Sequence, residues 1–98
     1  DSIPAPDWLR AMVEPFADPT IGATTGMRWF APVDCGWGSI MRHLFNVGSY
    51  SQMYTFDHAW GGSTAIRMDV FQRSSIKERW NRALCEDSAL TGPLRELG

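Results

Sequence analysis

Trp37-Gly38-Ser39-Ile40-Met41-Arg42-His43-Leu44-Phe45-Asn46-Val47-Gly48-Ser49-Tyr50-Ser51-Gln52-Met53-Tyr54-Thr55-Phe56 is the longest stretch of this chain with a single local rhythm, and its reading decides the fold. Trp37, Ile40, Met41, Leu44, Phe45, Val47 and Tyr54 recur near helical spacing, which predicts the longest helix, with Gly48 letting a neighbour come close. Arg42, His43, Asn46 and Gln52 break the apolar run, so the segment does not span a membrane by itself. Its aromatic and methionine face is wider than one small domain needs. Burial against further protein is expected, with a membrane or a lipid acceptor as the other possible covers.

On the N-terminal side of this helix, residues 20–30 (Thr-Ile-Gly-Ala-Thr-Thr-Gly-Met-Arg-Trp-Phe) are β-branched and aromatic without helical period, which predicts a strand. Gly22 and Gly26 suggest a bulge or close backbone approach, and residues 31–36 a turn. On the C-terminal side, residues 61–68 read as a short strand after a glycine turn and residues 69–73 as a brief helix. Residues 6–16 form an opening helix with Trp8, Leu9, Met12, Val13 and Phe16 on one stripe, ended by Asp18-Pro19. A closing helix starts near Glu86 with Leu90, Leu94 and Leu97 inward, kinked or split at Gly92-Pro93. Strands separated by helices predict an α/β architecture, helices packed on a small mixed sheet. Two strands are too few to stand alone, so a missing N-terminal half is expected to supply their neighbours. Asp1 in place of a starting Met and a helix C-cap signal at residues 94–98 point the same way, to one segment, 1–98, of a larger domain.

The chain has 98 residues, 44% of them apolar, with five Trp and a net charge of −2. That is enough for a modest core. Lys and Arg are scattered, so no electrostatic footprint for nucleic acid is present. Cys35 and Cys85 lack metal or disulfide spacing and are expected as two buried thiols. Trp8, Trp29, Trp37 and Trp80 are assigned to packing, and the five methionines to core or interface. His43 and His58 have no second ligand at helical spacing and are expected to be satisfied or exposed, with Asp57-His58 a minor candidate for substrate contact.

The strongest chemical signal is Glu86-Asp87, two adjacent carboxylates at a helix start after the run Trp80 to Cys85, which is expected to be buried. A carboxylate there serves as a general base when its surroundings tune it, or as a helix cap contributing ~1 kcal/mol. Upstream lies a Gly-rich loop, Trp60-Gly61-Gly62-Ser63-Thr64-Ala65-Ile66-Arg67. Gly61 and Gly62 permit positive φ and close approach of a ligand, and the Ser63 hydroxyl can hydrogen-bond a sugar. Trp60 suits stacking on a sugar face as well as a place in the core. Arg67 reads as a structural pairing residue first and a phosphate contact second.

Three anchors in order carry a family resemblance. Asp1-Ser2-Ile3-Pro4-Ala5-Pro6-Asp7-Trp8-Leu9 resembles the segment beginning at the second Asp of the D-x-D motif in family 2 glycosyltransferases of the GT-A fold. Gly61 to Arg67 resembles their G-x-S-x-x-x-R loop, and Glu86-Asp87-Ser88-Ala89-Leu90 their E-D-x-x-L motif. The resemblance covers essentially the whole chain and is nearest to membrane-associated cellulose synthase-like or ceramide glucosyltransferase-like members. It implies the C-terminal half of a GT-A catalytic domain in an inverting hexosyltransferase. Sugar would pass from a nucleotide-diphosphate donor to a hydroxyl of a lipid or glycan acceptor. Asp87 would be the base, Glu86 a neighbour shaping the pocket, and Gly61, Gly62, Ser63 and Trp60 the substrate side. Asp1 would be a ligand of Mg²⁺ or Mn²⁺, an ion that shares few carboxylates with substrate phosphates. The resemblance further implies the cytoplasmic face of a membrane, reached through parts of the parent outside this chain. The downstream Q-x-x-R-W motif of processive and lipid-acceptor members is absent from residues 1–98, and the segment alone is expected to be inactive. The competing expectation is a non-catalytic binding or scaffold domain that keeps the shape without the chemistry.

Overall fold

The computed structural model describes residues 3–97. Helix α1 (Trp8–Val13) runs into a 3₁₀ turn, Glu14–Ala17, because Pro15 has no N–H to continue the α-helical ladder. The Met12 carbonyl at its end accepts from Thr24 Oγ1 at 2.7 Å, so the next element caps this one. Strand β1 (Ala23–Thr25) pairs antiparallel with β2 (Thr64–Ile66), and between them lies α2 (Trp37–Phe56). Ala23 stands opposite Ile66, Thr24 opposite Ala65 and Thr25 opposite Thr64. Gly26 N–H to Ser63 O (2.7 Å) and Arg67 N–H to Gly22 O (2.9 Å) extend the ribbon beyond both ends. Three short helices follow, α3 (Met68–Arg73), α4 (Ile76–Trp80) and α5 (Ser88–Glu96).

The outcome is a mostly helical small domain with a two-stranded antiparallel ribbon, and α/β only in a loose sense. The expected small mixed sheet is not formed by the described residues: one antiparallel pair is present, and the strand expected over residues 20–30 contracts to three. The physical reason lies on α2. Asn46 Nδ2 donates to Arg28 O (3.1 Å), Asn46 Oδ1 accepts from Phe30 N–H (3.1 Å), and Phe30 O pairs with His43 Nδ1 (2.9 Å). Two helix side chains thus take up the Arg28 carbonyl and both backbone groups of Phe30, which a partner strand would otherwise have paired.

The main core sits at the C-terminal end, where Ala59, Ile76 and Leu90 are buried and Ile66, Phe71 and Leu94 pack around them. Helix α5 runs through Gly92-Pro93 with Pro93 fully buried, so the pair does not split it. Arg67 ties the other end together. Its guanidinium donates to the carbonyls of Ile21 (2.7 Å), Asp18 (2.9 Å) and Phe16, and it lies over the Phe16 ring. Its partners are backbone carbonyls rather than Glu86, a structural role.

Several expectations of burial are corrected. Cys35 and Cys85 are exposed, as are Trp8, Trp29, Trp37 and Trp80, and Leu84 in the run before Glu86 stands entirely in solvent. Of the methionines only Met12 is buried. The accessible surface is 7618 Å², against ~5600 Å² expected for a compact monomer of this mass. The radius of gyration, 15.3 Å, likewise exceeds the ~12.6 Å of a compact chain of this length. Roughly 2000 Å² that a self-contained domain would bury is therefore left open.

Candidate functional site

The Gly-rich loop and the acidic pair, 25 residues apart in sequence by their numbering, meet in space. A Cβ placed on Gly61 would lie 3.1 Å from Asp87 Cβ and 3.3 Å from Glu86 Oε1. A Cβ on Gly62 would fall 2.3 Å from the Trp60 ring, which folds back over that glycine. Neither glycine uses the left-handed backbone open to it. What both supply is room, one for the acidic pair and one for the indole.

Trp60 is held from two sides. Its N–H donates to Thr25 Oγ1 (3.0 Å), and its carbonyl accepts from Thr64 Oγ1 and from Ser63 N–H (3.1 Å), so the cross-strand threonines of the ribbon fix the loop. The Arg28 guanidinium lies 5.5 Å from the Trp60 ring centroid.

Asp87 is the N-cap of α5: its Oδ1 accepts from Ser88 N–H at 2.7 Å. This cap fixes the carboxylate on a rigid element. The preceding turn is anchored by Trp80 Nε1, which donates to Glu86 O at 2.9 Å. The two acidic side chains then part company. Asp87 is half-buried and lines a cleft of about 610 Å³, whereas Glu86 is exposed and does not line it. Trp60, His58, Arg28, Phe30 and Arg42 also reach this cleft, and α2 forms its long wall. Its size falls in the range of small-molecule sites, and its mixture of apolar walls with a few polar groups is typical of them.

Ser63 goes elsewhere. It is 9% exposed, its Oγ accepts from Trp8 Nε1 (3.0 Å) and donates to Met12 Sδ (3.6 Å), and a Cβ on Gly26 would stand 2.7 Å from it. Its hydroxyl is used inside the protein, pinning α1 beneath the loop. The expected sugar contact has no support in this geometry. Asp1 lies outside the described residues. Among those residues no group of three His, Cys, Asp or Glu side chains converges to hold a metal ion, so they do not themselves build a metal centre.

Sequence reasoning did not single out Arg28, Phe30, Arg42 or Asn46 as site residues, because they come from a loop segment and a helix that meet through tertiary contacts, the Asn46 and His43 hydrogen bonds and the Arg42 guanidinium over the Phe30 ring. The one available signal was a polar residue, Asn46, interrupting an apolar helix. His43, with its Nδ1 on Phe30 O and its ring edge-on to Trp29, is a satisfied structural histidine. His58 lines the cleft with Nδ1 3.2 Å from Thr91 Oγ1. Comparison of the chain with protein-family models, with curated protein sequences and with solved structures finds no match.

Proposed function

We propose that the chain is the acceptor side of an inverting glycosyltransferase of the GT-A fold, with Asp87 as general base. The observation that carries this reading is the packing of Gly61 against Asp87 at the edge of the 610 Å³ cleft. It joins the two motifs that the resemblance puts on one substrate. In the reaction, Asp87 accepts the proton of the acceptor hydroxyl as that oxygen forms its bond to the anomeric carbon. The bond from that carbon to the donor diphosphate breaks on the opposite face, and its electron pair leaves with the phosphate oxygen. One displacement inverts the configuration. Trp60, its indole held over Gly62, offers an aromatic wall for a sugar face. Gly61 keeps the acidic pair close to the loop, and Ser63 acts through packing. The open surface of about 2000 Å² supports a parent domain that covers this segment with further sheet. The donor is a nucleotide-diphosphate sugar and the acceptor a lipid or glycan hydroxyl, at the cytoplasmic face of a membrane. A Mg²⁺ or Mn²⁺ ion would neutralise the leaving diphosphate, with Asp1 as its proposed ligand, and no step above passes through it.

Asp87 also caps α5, and a scaffold domain would keep that cap without any turnover. Asp87→Asn separates the two readings, because Asn caps a helix as well as Asp does. In the full-length protein this substitution is expected to leave thermal stability nearly unchanged and to lower turnover of nucleotide sugars by about 10²-fold or more. Undiminished turnover would remove Asp87 as base. Absence of turnover in the unsubstituted full-length protein across nucleotide sugars would favour the scaffold.

A further inference from the structure

Among the described residues, the lining of the Asp87 cleft is cationic, in a chain whose net charge is −2. It carries one carboxylate, Asp87, against two guanidinium groups, Arg28 and Arg42. Arg28 comes from the segment after β1 and Arg42 from α2, and they converge on one ring. The Phe30 centroid lies 4.8 Å from Arg28 Cζ and 5.8 Å from Arg42 Cζ. Arg28 also stands 5.5 Å from the Trp60 centroid, so the array reaches the Gly-rich loop. Both arginines are exposed, and a solute in the cleft meets them.

An exposed arginine by itself is ordinary surface. Arg10, Arg73, Arg79 and Arg95 are of that kind, each beside a carboxylate: Asp7, Asp69, Glu96 and Asp57. Arg42 differs, for it has the Phe30 ring and, among the described residues, no carboxylate partner. Two like charges brought to one ring repel each other, and the aromatic face offsets only part of that. The arrangement is nevertheless built in. The Asn46 and His43 hydrogen bonds fix the backbone of Arg28 and Phe30 against α2, one residue from Arg42. The same clip thus holds both guanidinium groups on the wall of one cleft. An anion seated beside the Phe30 ring turns their repulsion into attraction, and the planar guanidinium fork matches the oxygens of a carboxylate or a phosphate.

We propose that Arg28, Phe30 and Arg42 form a subsite for an anionic group on the acceptor, beside the hydroxyl that Asp87 deprotonates. Trp60 supplies an aromatic wall for a sugar face next to Arg28, so the acceptor is an acidic sugar, a uronate or a sugar phosphate. Its assignment to the acceptor rests on the proposed role of Asp87; the anion subsite itself does not.

The test is calorimetric titration of the full-length protein with glucuronate, glucose 6-phosphate, uncharged glucose and uridine diphosphate. At least one acidic sugar is expected to bind about tenfold or more tightly than glucose, through charge-assisted hydrogen bonds. Arg42→Gln is expected to bring it to the level of glucose, and Arg42→Lys, which keeps the charge without the fork, to recover part of the difference. Arg73→Gln removes the same charge from α3, outside the cleft, and is expected to leave binding unchanged, with circular dichroism checking the fold of each variant. The proposal is overturned if neither acidic sugar binds more tightly than glucose, if Arg42→Gln leaves the preference in place, or if Arg73→Gln abolishes it as well. It is also overturned if uridine diphosphate displaces the acidic sugar and loses as much affinity in Arg42→Gln, for then the array holds the phosphates of the donor. Asp87→Asn is expected to keep the preference for the acidic sugar. Undiminished turnover with that preference kept refutes the base and leaves the anion subsite standing, whereas the preference lost with turnover reduced refutes the subsite and leaves the base.

Discussion

Asn46→Ala removes the clip that replaces a β-ladder. The buried amide makes two hydrogen bonds, donating to Arg28 O and accepting from Phe30 N–H, both at 3.1 Å, and the chemistry of the partners dictates which end of the amide points where. Each bond contributes about 0.5–1.5 kcal/mol net, and a stranded buried backbone group costs about 1–3 kcal/mol where water does not reach it. The cleft lets water reach part of this wall, so the expected destabilisation is about 2–4 kcal/mol, a large share of the total for a chain this small. Urea unfolding followed by circular dichroism measures it, and amide exchange at Phe30 should rise in step. Asn46→Asp is the sharper variant. A carboxylate still accepts from Phe30 N–H but faces the Arg28 carbonyl with no proton, whereas its protonated form restores the donor. The new carboxyl is thus expected to have a folded pKa above its unfolded value of ~3.9. The stability it contributes is fully present below the unfolded pKa and is lost as pH rises through the folded one. A loss below about 1 kcal/mol for Asn46→Ala, well under a single buried bond with its stranded partner, or a pH-independent Asn46→Asp, would refute the clip.

Three other positions give separate tests. A Cβ on Gly62 would enter the space of the Trp60 indole, so Gly62→Ala is expected to expel the ring and red-shift tryptophan emission, while Gly61→Ala shifts Asp87 and leaves emission nearly unchanged. In the full-length protein both should lower turnover, Gly61→Ala through kcat and Gly62→Ala through KM; equal emission spectra for the two variants would contradict the assignment. At the start of α2, the Asp34 carboxyl is held below its ordinary value by the Ser39 hydroxyl and then by Gly36 N–H. A lowered folded pKa means that its contribution is present above the unfolded pKa of ~3.9 and is lost as pH falls through the folded one. A carboxyl NMR titration should place the midpoint below that reference, and a midpoint at or above it would deny the interaction.

The existence and start of α2 were legible because apolar residues recur at helical spacing from Trp37, whereas its tail was not, since the stop at Phe56 comes with the left-handed backbone of Asp57 (φ 48°), which no periodicity announces. The strand over residues 20–30 was only partly legible, since β-propensity reports a preference for extended backbone and not the identity of its partner. Residues 28–30 are held by side chains of α2, and no local pattern announces that. Helix α4 escaped because Ile76–Trp80 is five residues with one apolar anchor, Ile76, too short to show a period. At the candidate site, Asp87, Gly61 and Trp60 were legible as residue types at motif spacing. Ser63 was not, because a hydroxyl that binds Trp8 and one that binds a sugar look alike in sequence.

Periodicity shows that a helix has an apolar side; it does not show which way that side faces. Trp37 and Phe45 were read as one stripe to be covered by further protein, and both stand exposed in this chain, because the inward direction is chosen by whichever face finds the better partners within it. Here the polar face wins. Asn46 and His43 satisfy three backbone groups that would otherwise be stranded, at about 1–3 kcal/mol each where buried. The short N-terminal helix and three-residue strands offer little apolar area in exchange for the other face. What the polar face gains is set against an apolar face, Trp37, Met41, Leu44 and Phe45, that the described residues leave uncovered.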